Sequence, residues 1–425
     1  LCTRPEVKAI GLHIEGVKDI SRFSEVALKA LEAGVPIVAL KTGSSEIGSE
    51  LTVSHTASLS GSDDLFQALF DRLGIIRVSH PVQLLETLKY LCVAGIPKGK
   101  RLVGLTCSGG GATLLADLVS DFPASLDPAL LVGLAPFDDA AVYQVTDDVA
   151  LVSTTDFFPP LVDDPGDFGA IAAANACSDV FAMGGRVVMA VNIAAFPEHF
   201  PPTAIAQIFA AAALVVAEAG GSIAGGHTIR NPEPIFGLAV QGVVNPQRIF
   251  RKSGAQVGDI AVMSKPLGTG LALAGGSDAD KAAAIAGMRT LNRVASEQLQ
   301  SFGAGVHAVT DVTGYGLAGH GWEMAERSAV ALVIDASTLQ AYPGAREAAQ
   351  RGVRTGGDPR NRDYVEGNFV DAAGNDAAAA LCFDPQTSGG LLAAVDALTA
   401  AALLQGGTWW RAGSFVSGAV QISLQ

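Results

Sequence analysis

The acidic segment 137–185 constrains the fold of this chain most, because its pattern specifies both local structure and the placement of several carboxylates. Two runs of alternating apolar and polar residues, 140–145 and 149–154, flank a Thr-Asp-Asp triplet, which predicts a β-hairpin. With the two aspartates as a two-residue loop, strand pairing sets Asp139 directly opposite Asp156. Like charges that face each other across paired strands are destabilising, so we expect a cationic group between them.

The residues that follow the hairpin predict a helix that adds a further carboxylate. Residues 168–183 are rich in alanine and end at Gly184-Gly185, which is typical of a helix and its C-terminal stop. Asn175 and Asp179 are four residues apart and therefore share one face of this helix. Three carboxylates and an amide suit a hard cation such as Mg²⁺; the alternative is a solvated acidic hairpin.

Length and composition favour a multidomain globular protein and oppose binding to nucleic acid. The 425 residues correspond to about three domains by length, and 49% hydrophobic against 16% charged residues provides ample core. The net charge of −14 opposes binding to a phosphate backbone. It does not oppose binding of a nucleotide, because bound Mg²⁺ reverses the local charge.

Cysteine usage and hydropathy predict a cytoplasmic protein without a membrane partner. The five cysteines show no C-x-x-C or zinc-type spacing, which fits a reducing compartment. The longest apolar run, 208–217, is well short of the roughly 20 residues that a membrane helix needs. No signal peptide is apparent at the start of the sequence.

The first 121 residues alternate strand-like and helix-like segments, which predicts a doubly wound parallel sheet with helices on both faces. Ligands in such folds bind at the carboxyl ends of the strands. His55 lies in the hydroxyl-rich loop 54–61 before a predicted helix. It is either a phosphoryl acceptor or a histidine of a capping loop. The glycine run 107–111 either binds phosphate or only allows close packing. We predict strands at 9–14, 36–40 and 102–106, and helices at 21–33, 62–73 and 82–92.

This first section resembles the NDP-forming acyl-CoA synthetases, which are related to the succinyl-CoA ligase alpha chain. The resemblance covers roughly residues 5–120, and it implies a flavodoxin-like domain in which His55 carries a phosphoryl group. Residues 101–121 supply only the first strand and helix of a second doubly wound domain, and one such unit does not cover both faces of its own sheet. The matching motifs are IGLHIEG, VPIVALKTG, SHTASLSG and LTCSGGG.

The rest of the chain resembles selenophosphate synthetases over nearly all of residues 130–395. The resemblance implies the two-domain fold of the aminoimidazole-ribonucleotide-synthetase (AIRS) superfamily, which dimerises through its first domain and binds ATP near that interface. The matching blocks are DDAAVY (138–143), TTDFFPPLVDDPGDFG (154–169), SDVFAMGG (178–185), AGGHTI (224–229), EPIFGLAVQG (233–242), KPLGTG (265–270), TDVTGYGLAGH (310–320) and DPQTSGGLL (384–392).

From this second resemblance we expect ATP-dependent phosphorylation of hydrogen selenide to selenophosphate, with release of AMP and phosphate. By residue type alone, Asp311 at a strand end is either a metal ligand or a helix cap, and the glycines of block 224–229 form either a phosphate loop or a simple turn. The resemblance implies Asp139, Asp156, Asp179 and Asp311 as Mg²⁺ ligands, and Asp138, Asp156, Asp179, Gly226, His227 and Thr228 as ATP contacts.

One departure from the family affects the expected catalysis but not the expected nucleotide binding. Selenophosphate synthetases carry a cysteine and, three residues later, a lysine in a glycine-rich loop before the DDAA block. This chain contains no Cys-x-x-Lys, and Pro136-Phe137 replaces the usual polar pair. We therefore expect ATP–Mg²⁺ binding with weak or absent turnover. The alternatives are phosphotransfer through His55, a non-enzymatic nucleotide-binding fusion, or a fusion produced by a gene-calling error.

Together these patterns predict four segments. Residues 1–100 form a succinyl-CoA-ligase-like flavodoxin-type domain, and 101–130 are a truncated βα unit with a junction. Residues 131–250 form an AIRS-type ATP and magnesium domain, and 251–425 form the C-terminal AIRS-type domain. The predicted fold class is therefore α/β followed by α+β.

Overall fold

The computed structural model describes residues 4, 7–14, 17, 19–42, 63–94, 127–133 and 137–425. These belong to two compact units, Leu1–Arg101 and Leu102–Gln425. His55, the glycine run 107–111 and the predicted strand 102–106 lie outside the described residues. The boundaries of the four predicted segments stay a prediction.

The first unit contains a parallel sheet of strand order β1-β2-β3 with three helices. The two predicted strands and three predicted helices within its described residues are confirmed, with ends shifted by at most two residues. The short strand β3 was missed, because three residues show no periodicity. The elements are β1 (Ile10–Ile14), α1 (Ile20–Glu32), β2 (Ile37–Lys41), α2 (Asp63–Leu73), β3 (Ile76–Val78) and α3 (Pro81–Ala94).

The first sheet of the second unit has the strand order β4-β5-β6-β9-β7-β8. Its pairings are antiparallel except for the parallel pair β7–β8. Two apolar helices, α4 and α5, contribute to the core formed with this sheet. The elements are β4 (Leu130–Val132), β5 (Ala141–Gln144), β6 (Ala150–Phe158), α4 (Pro165–Ala182), β7 (Arg186–Phe196), α5 (Pro202–Glu218), β8 (Ser222–Arg230) and β9 (Ile235–Val244).

The predicted hairpin exists, but its predicted register was wrong by one residue. Gln144 pairs with Ala150, so continuing the register outward sets Asp138, and not Asp139, in line with Asp156. The reason is the turn, which is longer than the two residues assumed. The backbone N–H groups of residues 145 and 146 both donate to the carbonyl of Val149, at 2.9 and 3.0 Å.

The second sheet of this unit has the order β11-β14-β10-β15-β12-β16-β13 and is mostly antiparallel. The strands are β10 (Ile260–Met263), β11 (Val306–Asp311), β12 (Ala331–Ile334), β13 (Phe369–Asp371), β14 (Leu391–Val395), β15 (Trp410–Val416) and β16 (Ile422–Leu424). The helices are α6 (Thr269–Gly275), α7 (Asp278–Arg289), α8 (Arg293–Phe302), α9 (Gly316–Ser328), α10 (Ala345–Gln350), α11 (Asp358–Tyr364), α12 (Asp376–Phe383) and α13 (Ala397–Gln405). Among the described residues, no helix has both the length and the apolar character to span a bilayer.

Candidate active site

Strand β6 and helix α4 bring the first two predicted carboxylates together. The helix begins after its N-cap Asp164 and ends at Met183, followed by Gly184 with a φ of 75°, so the predicted helix is confirmed. Asn175 of α4 donates from Nδ2 to Asp156 of β6, and Thr154 donates its hydroxyl to Asp179. Both predicted helix residues therefore face the strand.

The loop 384–390 of the C-terminal half fixes the same helix from the other side. The backbone N–H of Ser388 donates to Oδ1 of Asn175 at 2.7 Å. The side chain of Asn292 donates to Ser178 Oγ at 2.9 Å and to the carbonyl of Gly389 at 2.8 Å. Ser388 has a φ of 49°, a left-handed conformation that a non-glycine residue adopts at a cost. The loop is thus a structural clamp on α4.

Asp139, from the first half of the unit, and Asp311, from the C-terminal half, complete the group of carboxylates. Asp311 ends β11 and is 1% exposed. The hydroxyl of its neighbour Thr310 donates to Asp139 Oδ1 at 3.0 Å. Among the described residues, Oδ2 of Asp139 and Oδ2 of Asp311, which are both buried, have no hydrogen-bond partner. A buried, unpaired carboxylate oxygen is costly, so these two atoms are the open positions of the site.

Lys252 is a candidate site residue that the sequence did not indicate. Its Nζ lies 2.9 Å from Asp139 Oδ1 and 3.0 Å from Glu323 Oε2. Its backbone N–H donates to Asp138 Oδ2 at 3.1 Å. The sequence predicted a cation between Asp139 and Asp156; the structure instead places an internal lysine between Asp139 and Glu323. The only signal in the sequence was the need for a counter-charge, which did not indicate a residue more than a hundred positions away.

Burial and mutual repulsion raise the pKa values of four of these carboxyls. Burial, followed by the charge of Asp311, raises the pKa of Asp156 well above its usual range. The pKa of Asp179 is raised in the same way, by burial and then by Asp311 and Asp156. Burial and the nearby Asp139 raise the pKa of Asp311 to about 6, and the same two causes raise that of Asp138 to about 6. The group cannot be fully ionised without added positive charge.

The donor set fits a divalent cation, although the side chains are not already arranged as a chelate. Among the described residues, no three His, Cys, Asp or Glu side chains form a group that could hold a metal as they stand. The two open carboxylate oxygens and the raised pKa values nevertheless match a hard, oxygen-liganded ion. Binding of such an ion would require modest movement of these side chains.

The predicted ATP contacts at Gly226, His227 and Thr228 lie apart from the carboxylates. They are on β8, the exposed edge strand, three strands from β6 in the sheet order, which corresponds to roughly 14 Å across the strands. Gly226 has a φ of 155°, and a Cβ there would lie 2.5 Å from the carbonyl oxygen of Asn192. The close approach of β7 is therefore sufficient to explain why residue 226 is a glycine.

Comparison with protein families finds three family models that match successive parts of the chain. The model of the AIR synthase related protein N-terminal domain matches residues 137–244, and that of the C-terminal domain matches 256–419. The model of the succinyl-CoA ligase like flavodoxin domain matches residues 1–91. Both resemblances and the predicted fold class are thereby confirmed.

Curated relatives narrow the family further. A selenide, water dikinase of Caldanaerobacter subterraneus subsp. tengcongensis is 43% identical over 290 residues, which is 67% of this chain and 83% of the relative. The chain belongs to the selenide, water dikinase family. A selenide, water dikinase of Pseudomonas straminea is also 43% identical, over 306 residues that cover 69% of this chain and 85% of the relative. The chain is therefore a member of a nucleotide-dependent kinase family that handles selenium.

Solved structures show the same fold at lower identity. Thiamine-monophosphate kinase from Stenotrophomonas maltophilia is 22% identical with a TM-score of 0.52, over 71% of this chain and 92% of that one. The hydrogenase maturation protein HypE in complex with ATP is 18% identical with a TM-score of 0.51, over 75% and 92%. These likenesses establish the AIRS-type fold of this selenide, water dikinase family member.

Proposed function

We propose that the second unit binds ATP with Mg²⁺ as a selenide, water dikinase does, and that the complete reaction is weak or absent in this chain. The complete reaction would phosphorylate hydrogen selenide to selenophosphate, with release of AMP and phosphate. The observation that carries the proposal is the pair of open, buried oxygens on Asp139 and Asp311, in a chain 43% identical to selenide, water dikinases. Such oxygens are stabilised by an oxygen-liganded cation.

The four aspartates would hold the ion, and their neighbours would hold the nucleotide. Mg²⁺ would neutralise the charge of the phosphates during phosphoryl transfer. Asn175 and Thr154 keep two of the carboxylates facing one another, which lowers the cost of assembling the site. The proposed ion ligands are Asp139, Asp156, Asp179 and Asp311, and the proposed ATP contacts are Asp138, Asp156, Asp179, Gly226, His227 and Thr228.

The described cysteines do not replace the missing selenium-handling thiol. Cys177 and Cys382 are buried, and burial raises the pKa of each thiol to about 12. A thiol with such a pKa is almost entirely protonated at neutral pH and is a poor nucleophile. Cys92 is exposed, but it belongs to the first compact unit. We therefore expect nucleotide binding to be retained while the selenium step fails.

Two measurements on the full chain test this proposal. Calorimetric titration with a non-hydrolysable ATP analogue should show binding that requires Mg²⁺, and phosphorus NMR with ATP and selenide should show little AMP or selenophosphate. Asp156→Asn should abolish the Mg²⁺-dependent binding, whereas the exposed Asp363→Asn should not. Absence of Mg²⁺-dependent binding would refute the nucleotide proposal. Robust selenide-dependent formation of AMP would instead refute the expected inactivity.

A second candidate function, phosphotransfer through His55, rests on the match of residues 1–91 to a succinyl-CoA ligase like flavodoxin domain. His55 itself lies outside the described residues. Incubation with labelled ATP or acetyl phosphate should then produce an acid-labile phosphate that His55→Ala removes and His13→Ala leaves in place. If neither ATP nor acetyl phosphate labels the wild-type chain, this function is contradicted.

We also propose a homodimer formed through the first AIRS-type domain. In the described part of the chain, strand β8 lies at the edge of its sheet with β7 as its single neighbour, and its residues are mostly exposed. An exposed strand edge is a site for pairing with another chain. Light scattering should give twice the mass of the chain, and Ile229→Lys on the exposed edge should give the monomer. A monomeric wild type at micromolar concentration would contradict the dimer.

A further inference from the structure

Lys252 connects the two halves of the second unit at the candidate ion site. It lies between the segments matched by the two AIRS domain models, 137–244 and 256–419. Its ammonium contacts Asp139 in the first segment and Glu323 in the second. The exposed fractions of these three side chains are 5%, 4% and 2%. Such a buried ion pair is maintained only while every charge keeps a partner.

The partners of Lys252 are unequal, because both carboxylate oxygens of Glu323 have contacts but only one oxygen of Asp139 does. Tyr364 donates its hydroxyl to Glu323 Oε1 at 3.0 Å, and His320 Nδ1 lies 3.3 Å from Glu323 Oε2. Asp139 shares Oδ1 between Lys252 and the hydroxyl of Thr310, while its Oδ2 has no partner. Lys252 therefore completes the neutralisation of Asp139 but is one of several groups on Glu323.

We propose that Lys252 is an internal counter-ion that competes with the divalent cation for Asp139. In the ion-free protein the ammonium stabilises this buried carboxylate. When the cation binds the open oxygens of Asp139 and Asp311, its two charges repel the nearby ammonium in a medium that screens weakly. Lys252 then gives up Asp139 and keeps Glu323. The inference rests on the proposed Mg²⁺ site and assigns Lys252 as a positioning residue of that site.

Through this competition, ion binding affects residues in the C-terminal half of the second unit. Glu323 lies on α9, and Tyr364, which stacks on Tyr315 at a ring-centroid distance of 4.2 Å, ends α11. A change in the Lys252–Glu323 pair therefore acts on the packing of two helices outside the ion site. The same ammonium contact links occupancy of the site to the arrangement of the two segments.

The test measures ion affinity and not turnover. Mn²⁺ binding to the full chain is followed by electron paramagnetic resonance, and the unfolding temperature is measured with and without Mg²⁺. Lys252→Met should bind Mn²⁺ about tenfold more tightly, because the competing charge is gone. It should also be less stable than wild type without Mg²⁺ and gain more from its addition. The charge-matched control Lys281→Met, on α7, should behave as wild type.

A second variant predicts the opposite sign and does not depend on Lys252→Met folding well. Glu323→Gln leaves Asp139 as the one remaining ion-pair partner of Lys252 among the described residues, so Mn²⁺ should bind several-fold more weakly. A purely structural Lys252 would lower stability equally with and without Mg²⁺ and leave both affinities unchanged, which overturns the inference. A wild-type chain that binds no Mn²⁺ refutes the proposed ion site and this inference together; normal wild-type binding with unchanged variants refutes only the inference.

Discussion

Asn175 donates its side-chain amide to Asp156 and thereby joins α4 to β6 at the candidate site. The same side chain accepts the backbone N–H of Ser388 at 2.7 Å. One amide therefore satisfies a carboxylate of the first sheet and a loop of the second. Each end of the amide performs a separate task, so neither can be lost without leaving a buried polar group unpaired.

Replacing Asn175 by alanine should destabilise the fold. Both a buried carboxylate oxygen and a buried N–H lose their partners, which costs about 2–4 kcal/mol for the two groups together. Urea unfolding of the second-unit transition measures this loss. Asn231→Ala is the control, because that side chain is only half-buried and donates to the nearby carbonyl of Glu233. Equal, small effects from both variants would contradict the clamping role of Asn175.

Stability of the ion-free protein should fall as pH rises from about 4 to about 6. The folded-state pKa values of Asp138 and Asp311 are raised to about 6 from 3.8, so the folded state holds more protons than the unfolded state in this window. Deprotonation therefore favours unfolding. Unfolding temperatures across this range, with and without Mg²⁺, measure the effect. Mg²⁺ should stabilise most above pH 6, and a stability that rises through the window would contradict the linkage.

Asp311→Asn should change ion affinity and ion-free stability in opposite directions. Removing this charge relieves the repulsion that raises the pKa values of Asp156 and Asp179, so the ion-free protein should gain stability. Mg²⁺ binding should weaken by about tenfold or more, since a carboxylate ligand is lost. Calorimetry and thermal unfolding give the two readouts. Asp363→Asn, an exposed substitution of the same kind, should alter neither.

Gly169→Ala tests the close crossing of α4 and α5. A Cβ at Gly169 would lie 2.2 Å from the carbonyl oxygen of Ile208, so the helices must separate. Overpacking of this kind costs about 1–3 kcal/mol, measurable by urea unfolding. Gly356→Ala has no atom within 4 Å of its added Cβ and serves as the control. Equal stability of the two variants would show that the helices accommodate the methyl group.

Thiol reactivity should separate the described cysteines. Cys92 is exposed and should react with a maleimide within minutes in the native protein. Cys177 and Cys382 are buried, with pKa values raised to about 12, and should react only after unfolding. Mass spectrometry of peptides after brief labelling measures each site. Rapid labelling of Cys177 in the native protein would show that its thiol is accessible enough to act as the missing nucleophile.

The sequence determined the described elements of the first unit other than β3, and the hairpin and helix α4 of the second unit, because helix and strand periodicities and glycine stops are local properties. It also indicated which aspartates to consider, through the blocks that resemble the family. It did not determine the hairpin register, since the turn at 145–149 depends on hydrogen bonds that periodicity does not show. It also missed β3, whose three residues are too few for any period.

Only the tertiary structure decided what surrounds those aspartates. Lys252 and Glu323 follow Asp139 in the sequence by 113 and 184 residues, and no local pattern connects the three. Their ion pairs, of 2.9 and 3.0 Å, exist because folding buries the three side chains together. The clamp from Ser388 to Asn175 spans 213 residues. The local sequence pattern shows which side chains are acidic. Which cationic side chain neutralises a buried acid depends on the residues that folding brings into contact with it.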